Sequence, residues 1–262
     1  MFEFMKLISE KCKFALLYQI VSDENAEIYT DNKNYFMART DKQHPVWIWS
    51  KNDLTKKTLD ELTNSLKNYL CDDIKTKVTC DQNLYKTLVK NKYDFLTNDY
   101  FEMGTYFCQK TIKPKTVEGR FRIAHENDIL TLAKFHQNDK KEIDKVKITH
   151  QQSMKEINDI FNDPLKTLYV WENNSKNIVC MAVINNKNPF ARINFVYTPP
   201  KERCKGYAKN LIYCLTNIAL KNQLWPILYT DFNYPASNKA YIDVGYESCG
   251  LLINFSCIKK DK

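Results

Sequence analysis

The sequence predicts an α/β fold built on a mixed sheet and divided into two domains. Three observations carry that expectation. Apolar runs of strand length alternate with stretches whose apolar residues recur every three or four positions, the alternation that stacks helices on a sheet. A strand-like run at 193–198 leads through a glycine-containing turn directly into such a helical stretch. A polar segment around Pro114, Lys110-Thr-Ile-Lys-Pro-Lys-Thr116, reads as a linker, giving domains at 1–112 and 117–262.

In the first domain the pattern predicts a helix near 5–20, then strands near 34–40 and 45–50. Leu54, Leu59, Leu62, Leu66 and Leu70 form the stripe of a helix over 54–69, which Asp53 or Thr55 can cap. Strand-like runs near 75–80 and 101–109 flank a short helix near 82–91. Trp47 and Trp49 occupy alternate positions, which favours a strand face in a core over a stacking platform.

In the second domain a strand over 117–124 precedes a helix capped by Asn127 or Asp128 and running to about 137. A second helix over 149–161 begins on Thr149. Strands at 167–171 and 178–185 are joined by the turn-like Asn173-Asn-Ser-Lys-Asn177. The strand at 192–198 stops at Pro199-Pro200. Ala208, Leu211, Ile212, Leu215, Ile218 and Ala219 then mark a helix. A strand at 226–231, a short helix and a final strand pair close the chain.

Composition narrows the class of function. With 44% hydrophobic and 13% aromatic residues, the 262-residue chain can bury a core and is too apolar for disorder. No run of about 18 apolar residues suggests a membrane span. The run Phe14-Ala-Leu-Leu-Tyr18 is too short and poorly placed for a signal peptide. Nine cysteines, without a C-x-x-C pair, read as reduced thiols of a cytoplasmic protein. The four histidines lack ligand spacing, so no metal is expected. Of the net charge of +8, residues 1–113 carry +1 and residues 114–262 carry +7. The excess in the second half suits an anionic ligand, against the alternative of a solvated lysine-rich surface, and without a basic block or a known module nucleic-acid binding has little support.

The turn Arg203-Cys-Lys-Gly206-Tyr-Ala208 is the chief chemical signal. Free backbone N–H groups at the positive end of a helix dipole suit a pyrophosphate. Gly206 permits close backbone approach, and small Ala208 keeps the first helical turn open. The amides of about Cys204 to Lys209, Tyr207 among them, would form the cradle, and Lys205 or Lys209 could add charge. The alternative is an ordinary glycine turn.

Downstream stands Asn233-Tyr-Pro-Ala-Ser-Asn238-Lys-Ala-Tyr241-Ile-Asp-Val-Gly245-Tyr246. Turn and block together, in this order, resemble the GNAT superfamily of acyl-CoA N-acyltransferases over roughly residues 117–258. The resemblance implies a GNAT fold with acetyl-CoA as cosubstrate, bound by Arg203, Gly206 and Ala208. It also places Asn238 and Tyr241 near the pantetheine arm and the sulfur. Val196 and Thr198 would pair their backbones with that arm as with an added strand. The first domain, lacking any such turn, reads either as a degenerate GNAT-like copy or as an unrelated α+β domain.

The implied reaction is direct transfer of an acetyl group to a primary amine of a small-molecule or peptide acceptor. Tyr241 is the expected proton donor to the leaving thiolate, against the alternative of a core aromatic. Asn238 could instead cap its helix, as could Ser237. Many family members carry a Glu eleven residues before the turn; here that position is Arg192, which cannot act as a base but could bind an acceptor carboxylate. A bound water, or a side chain such as Tyr197, Glu172, His125 or Asp231, would have to take the amine proton. The rival reading is a CoA-binding regulatory module without turnover.

Overall fold

A computed structural model describes residues 8–70, 75–143 and 145–259. In chain order the helices and strands are α1 (Ile8–Lys13), α2 (Ala15–Val21), β1 (Glu27–Thr30), β2 (Tyr35–Arg39), β3 (Val46–Ser50), α3 (Lys56–Lys67), β4 (Thr76–Asp81), α4 (Gln82–Lys90) and β5 (Leu96–Phe107). There follow β6 (Arg120–Ile123), α5 (Ile129–Glu142), α6 (His150–Asn162), β7 (Lys166–Glu172), β8 (Ile178–Lys187), β9 (Phe190–Tyr197), α7 (Tyr207–Lys221), β10 (Trp225–Asp231), α8 (Pro235–Ile242) and β11 (Glu247–Cys257). The mixed α/β architecture is the one expected.

Two compact units divide the chain, but not where composition placed the cut. The first takes residues up to Tyr106, then Tyr229–Tyr234 and everything from Ser248 onward; the second takes Phe107–Leu228 and Pro235–Glu247. The expected split into 1–112 and 117–262 is thus corrected at both ends.

In the first unit, β1, β2 and β3 form an antiparallel meander. The chain then crosses over through α3, whose stripe Leu59, Leu62 and Leu66 is buried, and returns as β4 parallel to β3 from Val46↔Val78 to Ile48↔Cys80. Thr55 is the cap, its hydroxyl accepting from Thr58 N–H at 3.2 Å. On one face of this sheet Met37, Ile48, Val78, Leu62, Leu66 and Phe255 pack together. On the other, Trp47 and Trp49 lie with Phe14, Leu17 and Leu252. β3 therefore buries both of its faces, and the tryptophans serve the core. The strand that completes this packing is β11, antiparallel to β4 from Leu252↔Asp81 to Cys257↔Thr76. Its apolar Leu252, Ile253 and Phe255 enter the first unit's cores, which is why the chain's last strand belongs there.

In the second unit, β6 to β9 form an antiparallel meander, with α5 and α6 packed on it. Leu132, Ala133, Ile157, Ile160, Leu168, Val170, Met181 and Val183 make the core. Thr149 starts α6 in a capping box with Gln152. After β9 the chain crosses through α7 to β10, parallel to β9.

Several local expectations differ. The N-terminal helix is two helices broken at Phe14, and the expected residues 5–7 lie outside the described residues. β1 carries two exposed central residues and gave no apolar signal. The final strand pair is one strand, bent through Gly250 at φ +99°.

Candidate functional site

The turn between β9 and α7 departs from ordinary helix starts in one respect. Cys204 and Gly206 are both left-handed, at φ 62° and 88°, with Lys205 between them outside that region. Alternation of this kind points successive amides into one concavity, a form that receives anions. The first backbone bond of α7 runs from Asn210 N–H to Gly206 O at 3.2 Å. Among the described residues, the amides of Cys204, Lys205, Gly206, Tyr207, Ala208 and Lys209 donate to no protein acceptor. Gly206 is required twice over: its φ is left-handed, and a Cβ there would lie 3.0 Å from Val117 Cγ1.

In front of the turn opens a cleft of about 740 Å³, lined by residues 114–118, by Cys204 to Tyr207, by Lys209 and Asn210, and by Asp243. The segment around Pro114 is thus a strap across the start of α7. Ile112 N–H donates to Val244 O at 2.7 Å, and Asn210 Nδ2 donates to Lys115 O at 3.0 Å. The Tyr207 hydroxyl donates to Glu118 Oε1 at 2.9 Å, while Asn174 Nδ2 donates to Glu118 Oε2 at 3.0 Å. Composition gave the strap residues no distinguishing signal beyond their polarity.

Side chains of the turn are more committed than expected. Arg203 is not among the residues lining the cleft. Its Nε donates to Thr198 O at 2.9 Å, its guanidinium pairs with Glu142 at 2.7 Å, and its N–H donates to Pro200 O at 3.3 Å. These contacts make Arg203 a brace tying the turn to α5 and to the end of β9. Lys205 pairs with Glu202 at 2.9 Å, and Lys209 pairs with Asp243.

Toward the other end of the site, β9 and β10 are paired only from Phe190↔Trp225 to Arg192↔Ile227, although β9 runs on to Tyr197. Beyond Arg192 the backbone pairs of β9 run only to β8, and the free side of its backbone is an edge that an extended ligand arm could join. A β-bulge near Phe195, which is at φ 49°, lies between the pairs Val183↔Asn194 and Met181↔Tyr197 on β8. Val196 lies in this bulge. The Thr198 hydroxyl donates to the Cys180 sulfur at 3.2 Å. Arg192 stands at the last paired position.

Asn238 and Tyr241 are both buried on α8, three residues apart and hence on one face. Asn238 is the fourth residue of α8, so a role as its cap is ruled out. Tyr241 packs edge-on to Tyr246, centroids 6.1 Å apart. Burial first, then the neighbouring Cys180 and Asp139, push the Tyr241 phenol well above its ordinary value.

The candidate bases fare unevenly. Glu172 is clamped by Arg120 and Arg122 at 2.8 and 2.6 Å, and the Arg122 hydrogen bond above all holds its carboxyl below the usual range, which makes it a poor base. Tyr197 is buried under Arg203, its phenol raised by burial and by Glu142. His125 and Asp231 are exposed, and Asp231 Oδ1 accepts from Asn233 N–H at 2.8 Å. Among the described residues no group of three His, Cys, Asp or Glu side chains could hold a metal, and no helix is long and apolar enough to cross a membrane.

The site is thus an α/β turn whose free amides face a cleft, an arrangement that suits an anionic ligand. Residues 132–246 match the model of the acetyltransferase (GNAT) family. The fold is similar to a GCN5-related N-acetyltransferase from Kribbella flavida, with a TM-score of 0.61 at 10% identity over 97% of each chain. It is similar to an acetyltransferase of the GNAT family from Colwellia psychrerythraea, with a TM-score of 0.60 at 15% identity over 88% of this chain and 84% of that one. It also resembles a functionally unknown conserved protein from Staphylococcus epidermidis, with a TM-score of 0.57 at 10% identity over 92% and 97%. At these identities the likeness speaks to fold. No curated protein matches the chain significantly. The match to the GNAT family thus lies at 132–246, and the fold of the chain is similar to that of GNAT acetyltransferases.

Proposed function

We propose that the second unit binds acetyl-CoA at 204–209 and transfers its acetyl group directly to a primary amine, the activity of an acyl-CoA-dependent N-acyltransferase. The observation that carries this reading is the run of six consecutive amides without a protein acceptor beside a cleft. The pyrophosphate would lie on those amides. The pantetheine arm would lie along the unpaired part of β9, near Val196 and Thr198, with Asn238 and Tyr241 closing the acyl end.

Tyr241 would then act mainly as a hydrogen-bond donor. Its raised phenol stays protonated, and donation to the thiolate leaving as the C–S bond breaks stabilises that charge, while the proton of the attacking amine passes through a bound water to solvent. The acceptor is a small-molecule or peptide amine, for which Arg192 offers a cation at the parting of the strands. Eight free cysteines among the described residues accord with a reducing, cytoplasmic setting. The first unit repeats the order of strand, crossover helix, parallel strand and helix in β3, α3, β4 and α4, and we read it as a degenerate copy.

The test is calorimetric titration of the wild type and Gly206→Trp with acetyl-CoA. Micromolar binding lost in the variant is expected; a folded wild type that binds nothing overturns the reading. One observation favours a second reading, that of a CoA-binding module without turnover. The family's Glu position is Arg192, and the acidic candidate Glu172 is locked by two arginines. A thiol-release assay over an amine panel separates the two, since binding without release under any amine supports the module.

A further inference from the structure

We propose that Lys115, on the strap and outside the 132–246 family match, reads the 3′-phosphate of CoA and so sets the preference for CoA over its dephosphorylated form. The inference rests on the acetyl-CoA reading above.

Three cationic side chains line the cleft: Lys115, Lys205 and Lys209. Two are neutralised at close range, Lys205 by Glu202 and Lys209 by Asp243. Lys115 is exposed, and among the described residues its ammonium has no carboxylate partner. Its backbone is nevertheless fixed, because its carbonyl accepts from Asn210 Nδ2 at 3.0 Å. The cation therefore hangs from an anchored strap. Glu118, the acidic residue nearest to it on the strap, has both oxygens engaged, by Tyr207 and Asn174.

The order of the site assigns the ligand group. The unpaired edge of β9 takes the arm and the amides of 204–209 take the pyrophosphate. Asn210, which holds Lys115, lies one helical turn beyond Gly206. Whatever follows the pyrophosphate along the ligand meets the strap next. In CoA that is the ribose bearing the 3′-phosphate, a dianion matched to an uncommitted ammonium.

The experiment is a calorimetric cycle of wild type, Lys115→Ala and Lys115→Arg, each titrated with CoA and with dephospho-CoA. The wild type should prefer CoA by about two- to fivefold, the factor that an exposed charge pair supplies. Lys115→Ala should lose that preference by weakening CoA alone, Lys115→Arg should keep it, and raised salt should shrink it. Equal affinity of the wild type for both ligands, or equal weakening of both by Lys115→Ala, overturns the assignment and leaves the acetyl-CoA reading standing. A wild type that binds neither ligand overturns both.

Discussion

At the scale of single residues, Tyr241 shows how surroundings redefine a role. A phenol held in a buried pocket resists giving up its proton, so in the proposed reaction it would serve the leaving thiolate by the hydrogen bond it donates. Tyr241→Phe is expected to lower kcat by about ten- to a hundredfold, since a hydrogen bond to a charged group is worth roughly 1.5–3 kcal/mol. Affinity for acetyl-CoA should be unchanged. Because the shift is upward, the donor form persists to higher pH, and loss of activity below about pH 10 must come from another group. An unaltered kcat in the variant would remove Tyr241 from the chemistry. Arg203 teaches the opposite lesson. Its sequence position pointed to the ligand, yet its guanidinium is spent on Glu142 and Thr198 O. A pattern of residue types fixes where the backbone turns; it does not say which way a long side chain will reach.

At the scale of elements, helices were the most legible. The stripe of α3 and the cap of α6 follow from spacing and from Thr149 alone. Thr149→Ala should cost about 1 kcal/mol of stability, read as a lower thermal midpoint, with Thr149→Ser restoring most of it. An unchanged midpoint would mean that α6 is held by packing and not by its cap. The parting of β9 from β10 and the bulge at Phe195 were not legible, because they depend on which neighbour each strand meets and not on its own apolar pattern. The strap over 110–118 was hidden for a similar reason. It is polar, it contains Pro114, and nothing local distinguishes a tether from a segment that crosses a ligand cleft.

At the scale of the whole molecule, the two-unit organisation was legible and its boundary was not. Pro114 marked a break in composition, but the division follows backbone pairing, and β11 pairs with β4. A truncated chain lacking residues 1–112 therefore loses the partner of β11 and exposes Leu252, Ile253 and Phe255. It should aggregate instead of yielding a minimal catalytic domain, which size-exclusion chromatography would show. A soluble, monomeric product would mean that β11 finds another place. The same pairing has a consequence in time. During synthesis the residues of the first unit leave the ribosome well before residues 248–257 exist. The edge of β4 waits uncovered while some 160 further residues are added. The unit that begins first is finished last, and the cell must guard an open sheet edge for most of the translation of this chain.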